Sequence, residues 1–272
     1  MFSVKNLSNP YQIGRVVILG HSGFIGSQLL AFFRSQLPEI EIVGRSLPQL
    51  DLTKEDNVLT LASLFDLETA VIMCSGIKKQ MGDSREIFLQ NLKMVTNLCH
   101  LLQDRPVRRL VYFSSADVYG EDTDNTKINE DTPVNPTSYY GMSKYTSECL
   151  LRKVIEPVEG RSLLVLRPPL VYGPGDMSKS YGPSGFVWAA VNRKEITLWD
   201  DGSEQREFIF VDDLIKIVYG LAFHKYDGVI NVASGKSYTF KHILEIVSRL
   251  APFDLQIGMR PRSRQKVDRV FS

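Results

Sequence analysis

The chain has 272 residues, of which 43% are hydrophobic and 23% are charged, so it can bury the core of one large domain or of a domain with a smaller lobe. Its net charge of +1 gives no overall field that would attract nucleic acid or a membrane surface, and no apolar run reaches the ~18 residues that a membrane span needs. Three cysteines without metal or disulfide spacing (Cys74, Cys99 and Cys149) and an N-terminus without the apolar centre of a signal peptide favour a reducing cytoplasm.

Short apolar runs alternate with helical patterns along the chain. RVVIL at residues 15–19 predicts a buried strand, and Ile25, Leu29 and Phe33 then recur at helical spacing. A second helix face is marked by Ile87, Asn91, Val95 and Leu98. Further strands are predicted at residues 39–44, 70–74, 110–115, 162–168, 207–211 and 228–233. Because such alternation is typical of a parallel sheet covered by helices on both faces, we predict an α/β fold, with a long polar surface loop at 120–138.

A glycine-rich turn, LGHSGFIG at residues 19–26, follows the first predicted strand. Gly20, Gly23 and Gly26 in this turn are three residues apart. Taken alone, this spacing indicates either a nucleotide site or only a tight turn. Its position at the start of a helix favours the nucleotide, because free backbone N–H groups and the helix dipole attract a diphosphate, which can approach closely where side chains are absent.

This glycine spacing resembles that of the short-chain dehydrogenase/reductase superfamily. Five later stretches resemble its extended branch, the nucleotide-sugar epimerases, dehydratases and reductases: YFSSADVYG (112–120), SYYGMSK (138–144), LRPPLVYGPG (166–175), QREFIFVDDL (205–214) and INVASGKSYTFKHIL (230–244). Together the matches cover nearly all of residues 14–244 in the expected order.

The resemblance implies a Rossmann-type doubly wound parallel sheet with a small C-terminal substrate-binding lobe. We expect the NAD(P)-binding domain at residues 13–168 and 205–235. The lobe is then expected at 169–204 and 236–272, and it is short compared with the family. A homodimer formed through the helix that carries Tyr140 and its neighbour is also implied.

Tyr140 and Lys144 are four residues apart on a predicted helix and therefore share a face. A nearby ammonium is expected to lower the pKa of a phenol. The resemblance then implies that Tyr140 exchanges a proton with the sugar oxygen, while Lys144 tunes Tyr140 and binds the nicotinamide ribose. Ser115 matches the serine that hydrogen-bonds the reacting oxygen, although the adjacent Ser114 is an alternative. For the Tyr and Lys alone, the other interpretation is a chance pair on an amphipathic helix.

The resemblance also assigns residues to the cofactor. The acid that NAD-preferring members carry after the second strand is replaced by Gly44, Arg45 and Ser46. A guanidinium attracts a 2′-phosphate, so NADP is favoured and NAD stays possible, unless Arg45 is only a solvated loop residue. Asn91 either orders the site or is a plain amide on the helix surface. The predicted cofactor-binding residues are Gly20, Ser22, Gly23, Phe24, Ile25, Gly26, Arg45, Ser46, Asp51, Leu52, Cys74, Ser75, Gly76, Asn91, Tyr140, Lys144, Pro168 and Leu170.

Substrate contacts are predicted at Ser115, Arg206 and Arg260. By resemblance, Arg206 grips the substrate diphosphate; the alternative is an ion pair with Asp212 or Asp213. Arg260 is expected to reach a substrate phosphate, unless the basic stretch RPRSRQKVDRVFS is a solvated tail. The loop at 176–186 is expected to line the sugar pocket. No metal site is expected, because the four histidines show no ligand spacing.

Three functions remain open at this point. The first is NADPH-dependent reduction of a 4-keto sugar nucleotide. It is favoured by the residue at position 116. Dehydratases carry an acid there, followed by a second acid, whereas this chain has Ala116 and keeps only the second acid, Asp117. Epimerase-reductases carry a cysteine at the same position. The second is an NAD-dependent UDP-hexose 4-epimerase, which uses the same Ser, Tyr and Lys, but Arg45 and Leu170 count against it. The third is a non-catalytic dinucleotide-binding module.

Overall fold

The computed structural model describes residues 11–156, 158–177, 181–262 and 265–272. In chain order, its strands are β1 (Arg15–Leu19), β2 (Glu41–Arg45), β3 (Thr69–Met73), β4 (Arg109–Phe113), β5 (Asn125–Ile128), β6 (Ser162–Arg167), β7 (Leu170–Tyr172), β8 (Ile196–Trp199), β9 (Gln205–Phe210), β10 (Gly228–Asn231), β11 (Ser237–Thr239), β12 (Ile257–Arg260) and β13 (Arg269–Phe271). The α-helices are α1 (Phe24–Gln36), α2 (Glu55–Leu59), α3 (Arg85–Asp104), α4 (Tyr139–Ile155), α5 (Pro183–Val191), α6 (Val211–Ala222) and α7 (Phe240–Leu250).

A six-stranded parallel sheet forms the centre of the molecule, in the order β10-β6-β4-β3-β1-β2. The side chains of each strand alternate between two apolar cores. Val71 and Tyr112 point into the core on the side of α3 and α4, whereas Ile72 and Val111 point into the core that includes residues of α1 and α6. This arrangement confirms the predicted α/β fold with helices on both faces.

The order of the strands reverses between β1 and β3, which lie side by side although β2 separates them in sequence. In open parallel sheets, such a reversal leaves a crevice at the carboxyl ends of the strands, where the connecting loops diverge. The glycine turn after β1 and the loop after β3 both begin at this edge. The fold therefore places the predicted cofactor loops together.

One predicted strand does not belong to the central sheet. The segment at 207–211 forms β9, which pairs parallel with β7 and antiparallel with β11 in a separate three-stranded sheet. Apolar periodicity identifies a strand but not its partners, which is why the sequence pattern could not assign its sheet. Phe208 of β9 packs in a third core beside α5 and α7, while Ile209 packs in the core of the central sheet. The domain boundaries predicted above remain a proposal. The third core consists largely of residues from the predicted lobe, but Phe208 comes from the range assigned to the NAD(P)-binding domain.

The end of the chain is also not simply a solvated tail. β13 pairs with β5 inside the long loop at 120–138, and Arg269 and Phe271 are only 6% and 5% exposed. The many charges of this segment suggested a solvated tail, and a count of charges does not detect a strand of only three residues. Residues 263–264 of the segment lie outside the described residues. None of the described helices is both long and apolar enough to cross a membrane.

Candidate active site

A cavity of about 630 Å³ opens at the carboxyl edge of the central sheet. It is bordered by the start of α1, the loop after β3, the first turns of α4 and the segments after β4 and β6. The predicted residues that line it are Phe24, Ile25, Cys74, Gly76, Ser115, Tyr140, Lys144, Pro168, Leu170 and Arg206. The loops thus bring the catalytic candidates together with parts of the predicted cofactor and substrate sites. The other predicted cofactor residues lie in these loops or behind them and do not line the cavity.

The glycine turn forms a backbone cradle that side chains would fill. Gly20 has φ +92°, and a Cβ there would lie 2.8 Å from the backbone nitrogen of Ser75. A Cβ on Gly26 would lie 2.2 Å from the carbonyl oxygen of Gly20. Helix α1 starts after Gly23 without a side-chain cap, so its first N–H groups have no side-chain acceptor there. These features fit the diphosphate of a dinucleotide.

The end of β2 carries a cation and no acid. Arg45 donates from Nη1 to the carbonyl oxygen of Gly44 at 2.9 Å. The buried Ser46 hydroxyl lies 3.0 Å from Nδ1 of His21, whose ring occupies the space that a Cβ on Gly44 would need. The nearest carboxylate along the loop, Asp51, accepts hydrogen bonds from the backbone and hydroxyl of Thr53, which hold its pKa below its usual range. Leu52 is buried beside it.

Asn91 of α3 holds the loop after β3 in place. Its side chain is buried, accepts from the backbone nitrogen of Ile77 at 2.8 Å and donates to the Ile77 carbonyl at 3.1 Å. The alternative of a plain amide on the helix surface is therefore wrong. In the same loop, the Cys74 thiol donates to the Leu19 carbonyl at 3.1 Å, and burial raises its pKa to about 12. Cys74 is consequently an uncharged part of the cavity wall.

Helix α4 brings Tyr140 and Lys144, the predicted proton-exchange pair, to the cavity. Ser138 caps the helix by accepting from the backbone nitrogen of Gly141, which places Tyr140 in the first turn. One turn later, the buried Lys144 donates from Nζ to the carbonyl oxygen of Phe113 at 2.8 Å and lies 5.7 Å from the centre of the Tyr140 ring. A chance pair on an exposed amphipathic face would not turn both groups into one cavity.

The two candidate serines have different partners. Ser115 lines the cavity together with Tyr140, and its hydroxyl accepts from the backbone nitrogen of Asp117 at 3.1 Å. The Ser114 hydroxyl is buried and donates to the carboxylate of Glu148. The geometry therefore favours Ser115 as the serine that acts with Tyr140.

Burial dominates the protonation of the pair. Desolvation raises the pKa of Tyr140, and the charge of Asp117 raises it further, whereas the hydrogen bond from Ser115 has a smaller opposite effect. Desolvation also lowers the pKa of Lys144 to about 8. The expected lowering of the Tyr140 pKa by Lys144 is not found, and the phenol is protonated at neutral pH.

Three arginines line the cavity. Arg206 pairs with Glu204, not with Asp212 or Asp213 as the alternative interpretation expected. Arg262 pairs with the same buried Glu204. Arg269 of β13 donates to the Ala116 carbonyl and lies 3.2 Å from the Asp117 carboxylate.

The prediction for Arg260 is not supported by its position. Its side chain is 61% exposed, pairs with Glu195 at 3.1 Å and does not line the cavity. The sequence reasoning missed Arg262 and Arg269, which do line it, because it treated the surrounding segment as a tail. Of the loop at 176–186, Asp176 and residues 181–184 border the cavity, whereas residues 178–180 lie outside the described residues. No group of metal-ligating side chains occurs in the described part of the chain.

Comparisons with known proteins identify relatives over most of the chain. The model of the NAD dependent epimerase/dehydratase family matches residues 16–233. A probable GDP-L-fucose synthase 1 of Oryza sativa subsp. japonica is 28% identical over 263 residues, which cover 88% of this chain and 78% of that protein. A dTDP-4-dehydro-6-deoxy-D-allose reductase of a Streptomyces species is 28% identical over 233 residues, which cover 74% of this chain and 70% of that protein. The crystal structure of the UDP-glucose 4-epimerase of Thermus thermophilus with NAD superimposes with a TM-score of 0.80 at 23% identity, covering 95% of this chain and 90% of that chain.

Proposed function

Because this chain belongs to the NAD dependent epimerase/dehydratase family, and is an NAD(P)-dependent enzyme of sugar nucleotides, we propose that it reduces a 4-keto sugar nucleotide with NADPH. The observation that carries the proposal is that Tyr140 and Ser115 face one cavity in which the two neighbouring acid positions, 116 and 117, offer no unpaired acid. Ala116 has no proton to exchange, and Asp117 is paired with Arg269 at 3.2 Å. Elimination of water or epimerisation beside the carbonyl needs a further acid or base, whereas reduction needs only one proton donor.

When bound, NADPH would supply a hydride for the carbonyl carbon, and the residues of this chain would act on the carbonyl oxygen. Ser115 and Tyr140 hydrogen-bond the carbonyl oxygen, which polarises it for reduction. As negative charge develops on this oxygen, Tyr140 donates its phenolic proton and an alcohol forms. Lys144 stabilises the resulting phenolate, since its ammonium lies on the same face of α4 and is fixed by the Phe113 carbonyl.

Substrate recognition is proposed to rest on the arginines at the far end of the cavity. Arg206 and Arg262 both line it and share Glu204 as an internal counter-ion. A guanidinium grips phosphate oxygens through paired N–H groups, so this end suits the diphosphate of a nucleotide sugar. The substrate panel described next identifies the base and the sugar of the nucleotide sugar.

The assay for this function uses the purified chain with NADPH and a panel of UDP-, GDP-, CDP- and dTDP-linked 4-keto sugars. Reduction is measured as the loss of reduced-nicotinamide absorbance together with formation of the alcohol by mass spectrometry. Stoichiometric loss of NADPH with one of these sugars supports the proposal. Interconversion of UDP-hexoses by retained NAD, without net oxidation of cofactor, would replace it with the epimerase.

NADP preference is proposed from the end of β2, where Arg45, Ser46 and His21 form a polar group without an acid. We expect Arg45→Glu to raise the Kd for NADPH by about 10- to 100-fold, since a charge-assisted contact is lost and a repulsion is added. The Kd for NADH should change by less than about threefold. Isothermal titration calorimetry measures both constants.

Arg34→Glu is the matched control for this prediction. It makes the same change of charge at an exposed position of α1, where Arg34 donates to the Ile42 carbonyl. An equal loss of NADPH affinity in both variants, or a parallel loss of NADH affinity in Arg45→Glu, would refute the assignment of Arg45 to the 2′-phosphate.

The predicted homodimer and cytoplasmic location also remain proposals. The dimer is supported by exposed apolar side chains on the two helices expected to meet, namely Leu89 of α3 with Tyr139 and Met142 of α4. Sedimentation of the protein across a concentration series distinguishes a dimer from a monomer.

A further inference from the structure

A carboxylate lies buried on α4, one helical turn after Lys144. Glu148 is 0% exposed and accepts two hydrogen bonds from Arg167, from Nε at 3.0 Å and from Nη2 at 2.6 Å. It also accepts the hydroxyl of Ser114, the residue that precedes Ser115. Glu148 therefore joins the catalytic helix to the end of β4 and to the end of β6.

The contacts of Arg167 extend this network to the 3₁₀ turn Ala116–Tyr119, which follows Ser115. Its Nη1 donates to the Tyr119 hydroxyl at 2.8 Å, and the guanidinium lies 4.9 Å from the centre of the Tyr119 ring. The Tyr119 hydroxyl in turn donates to Oδ1 of Asn231, at the end of β10, at 2.8 Å. The side chains of the network are thus linked by hydrogen bonds, although Nδ2 of Asn231 is buried without a partner among the residues that the structure describes.

Stability alone does not explain such a pair. The desolvation of two buried charges is costly, and apolar replacements of equal volume are often as stable or more stable. The placement of the network does suggest an explanation, because three of its residues lie next to residues of the site. Ser114 directly precedes Ser115, Arg167 directly precedes Pro168, and Glu148 lies one helical turn after Lys144.

We propose that Glu148 is a positioning residue: it fixes the helix of Tyr140 and Lys144 against the strand end of Ser115, and its negative charge stabilises the ammonium form of Lys144. The kinetic consequence of this inference rests on the proposed function. The electrostatic consequence does not, because it concerns the protein without any substrate.

The groups that act on Lys144 explain why one carboxylate matters. From β4, the Tyr112 ring lies 5.1 Å from Nζ, and burial raises the pKa of its phenol. Cys74, after β3, and Tyr140, on α4, also have pKa values raised by burial, so all three groups are neutral at neutral pH. Glu148 is then the anion among the described groups that act on Lys144, and it opposes the desolvation that lowers the pKa of Lys144 to about 8.

The test measures the titration of Lys144 directly, by trace labelling of the full chain with acetic anhydride across a pH series. Acylation of the Lys144 peptide, quantified by mass spectrometry, follows the neutral amine. In Glu148→Gln the midpoint is expected to fall by more than about half a pH unit, because the opposing negative charge is gone. An unchanged midpoint in this variant overturns the electrostatic part of the proposal.

The control is Asp227→Asn, near the opposite end of β4. Asp227 pairs at 3.2 Å with Arg109, which is 0% exposed and begins that strand. This variant also breaks an ion pair of a buried arginine, but it is expected to leave the Lys144 midpoint unchanged. An equal shift of the Lys144 midpoint in both variants would show that breaking any such ion pair changes it, and this result would also overturn the proposal.

Ser114→Ala separates anchoring from charge, since it removes the link to β4 and keeps the carboxylate. We expect kcat for the reduction to fall about 10- to 100-fold from misplacement of Ser115, with the Lys144 midpoint as in the wild type. A wild-type kcat overturns the anchoring. If Glu148→Gln does not fold, the double variant Glu148→Leu/Arg167→Met removes both buried charges together and serves as the second test of the anchoring. Its kcat must fall as in Ser114→Ala, because the Ser114 hydroxyl has lost the carboxylate that holds it, and a wild-type kcat overturns the proposal. If the wild type reduces none of the sugars, the proposed function fails while the labelling result stands by itself.

Discussion

Replacing Tyr140 by phenylalanine is expected to lower kcat for the reduction by about 10²- to 10⁴-fold, the usual contribution of a positioned general acid. The change removes one hydroxyl and leaves the ring that lines the cavity. The oxygen that forms from the carbonyl then has no phenolic proton donor, while the glycine cradle is untouched. The Kd for NADPH and the melting temperature should therefore stay close to those of the wild type. Single-turnover kinetics and calorimetry measure these quantities.

The neighbouring tyrosine provides the control. Tyr139 is 42% exposed, and its ring centre lies 6.2 Å from that of Phe88, away from the proton-exchange pair. Tyr139→Phe should keep full activity. If Tyr140→Phe retained more than about a tenth of the wild-type kcat, the phenol would not be the acid of this site.

Gly26→Ala is expected to disrupt the cofactor cradle. Its new Cβ would lie 2.2 Å from the carbonyl oxygen of Gly20 and 2.9 Å from Cα of His21, both of them backbone atoms. Either the glycine turn or the start of α1 must move, and overpacking of this kind costs about 1–3 kcal/mol. We expect the melting temperature to fall and the affinity for NADPH to drop about 10- to 100-fold, as measured by thermal denaturation and calorimetric titration.

Gly220→Ala makes the same chemical change where there is room. Gly220 lies in α6, and nothing stands within 4 Å of the position its Cβ would take. Because alanine is the better helix former by about 0.5–1 kcal/mol, this variant should be as stable as the wild type or more so. An affinity for NADPH that is equal in Gly26→Ala and Gly220→Ala would contradict the cradle.

Local patterns predicted the parts of this molecule that local interactions determine. The apolar run before Gly20 and the turn after it specify β1 and the start of α1 through their own backbone requirements. Tyr140 and Lys144 share a face because they are four residues apart on one helix. These features are encoded within short windows, so the sequence predicted them without any knowledge of distant partners.

What the sequence did not predict depends on long-range pairing and on burial. The partners of β9 and β13 are remote in the chain, so periodicity detected one strand without its sheet and missed the other. Arg269 reaches the cavity because β13 pairs with β5, whereas Arg260, at the end of β12, is exposed and pairs with Glu195. The protonation of Tyr140 and Lys144 follows from desolvation, which no spacing of residues expresses.

The pairing of β13 with β5 has a consequence for synthesis on the ribosome. Every strand of the central sheet is translated before residues 269–271. The contacts of Arg269 with Asp117 and with the Ala116 carbonyl can form only after these last residues have been added. All strands of the nucleotide-binding sheet are therefore synthesised before the segment that completes the reaction chamber. A chain halted shortly before Arg269 would hold a dinucleotide cradle beside an unfinished chamber.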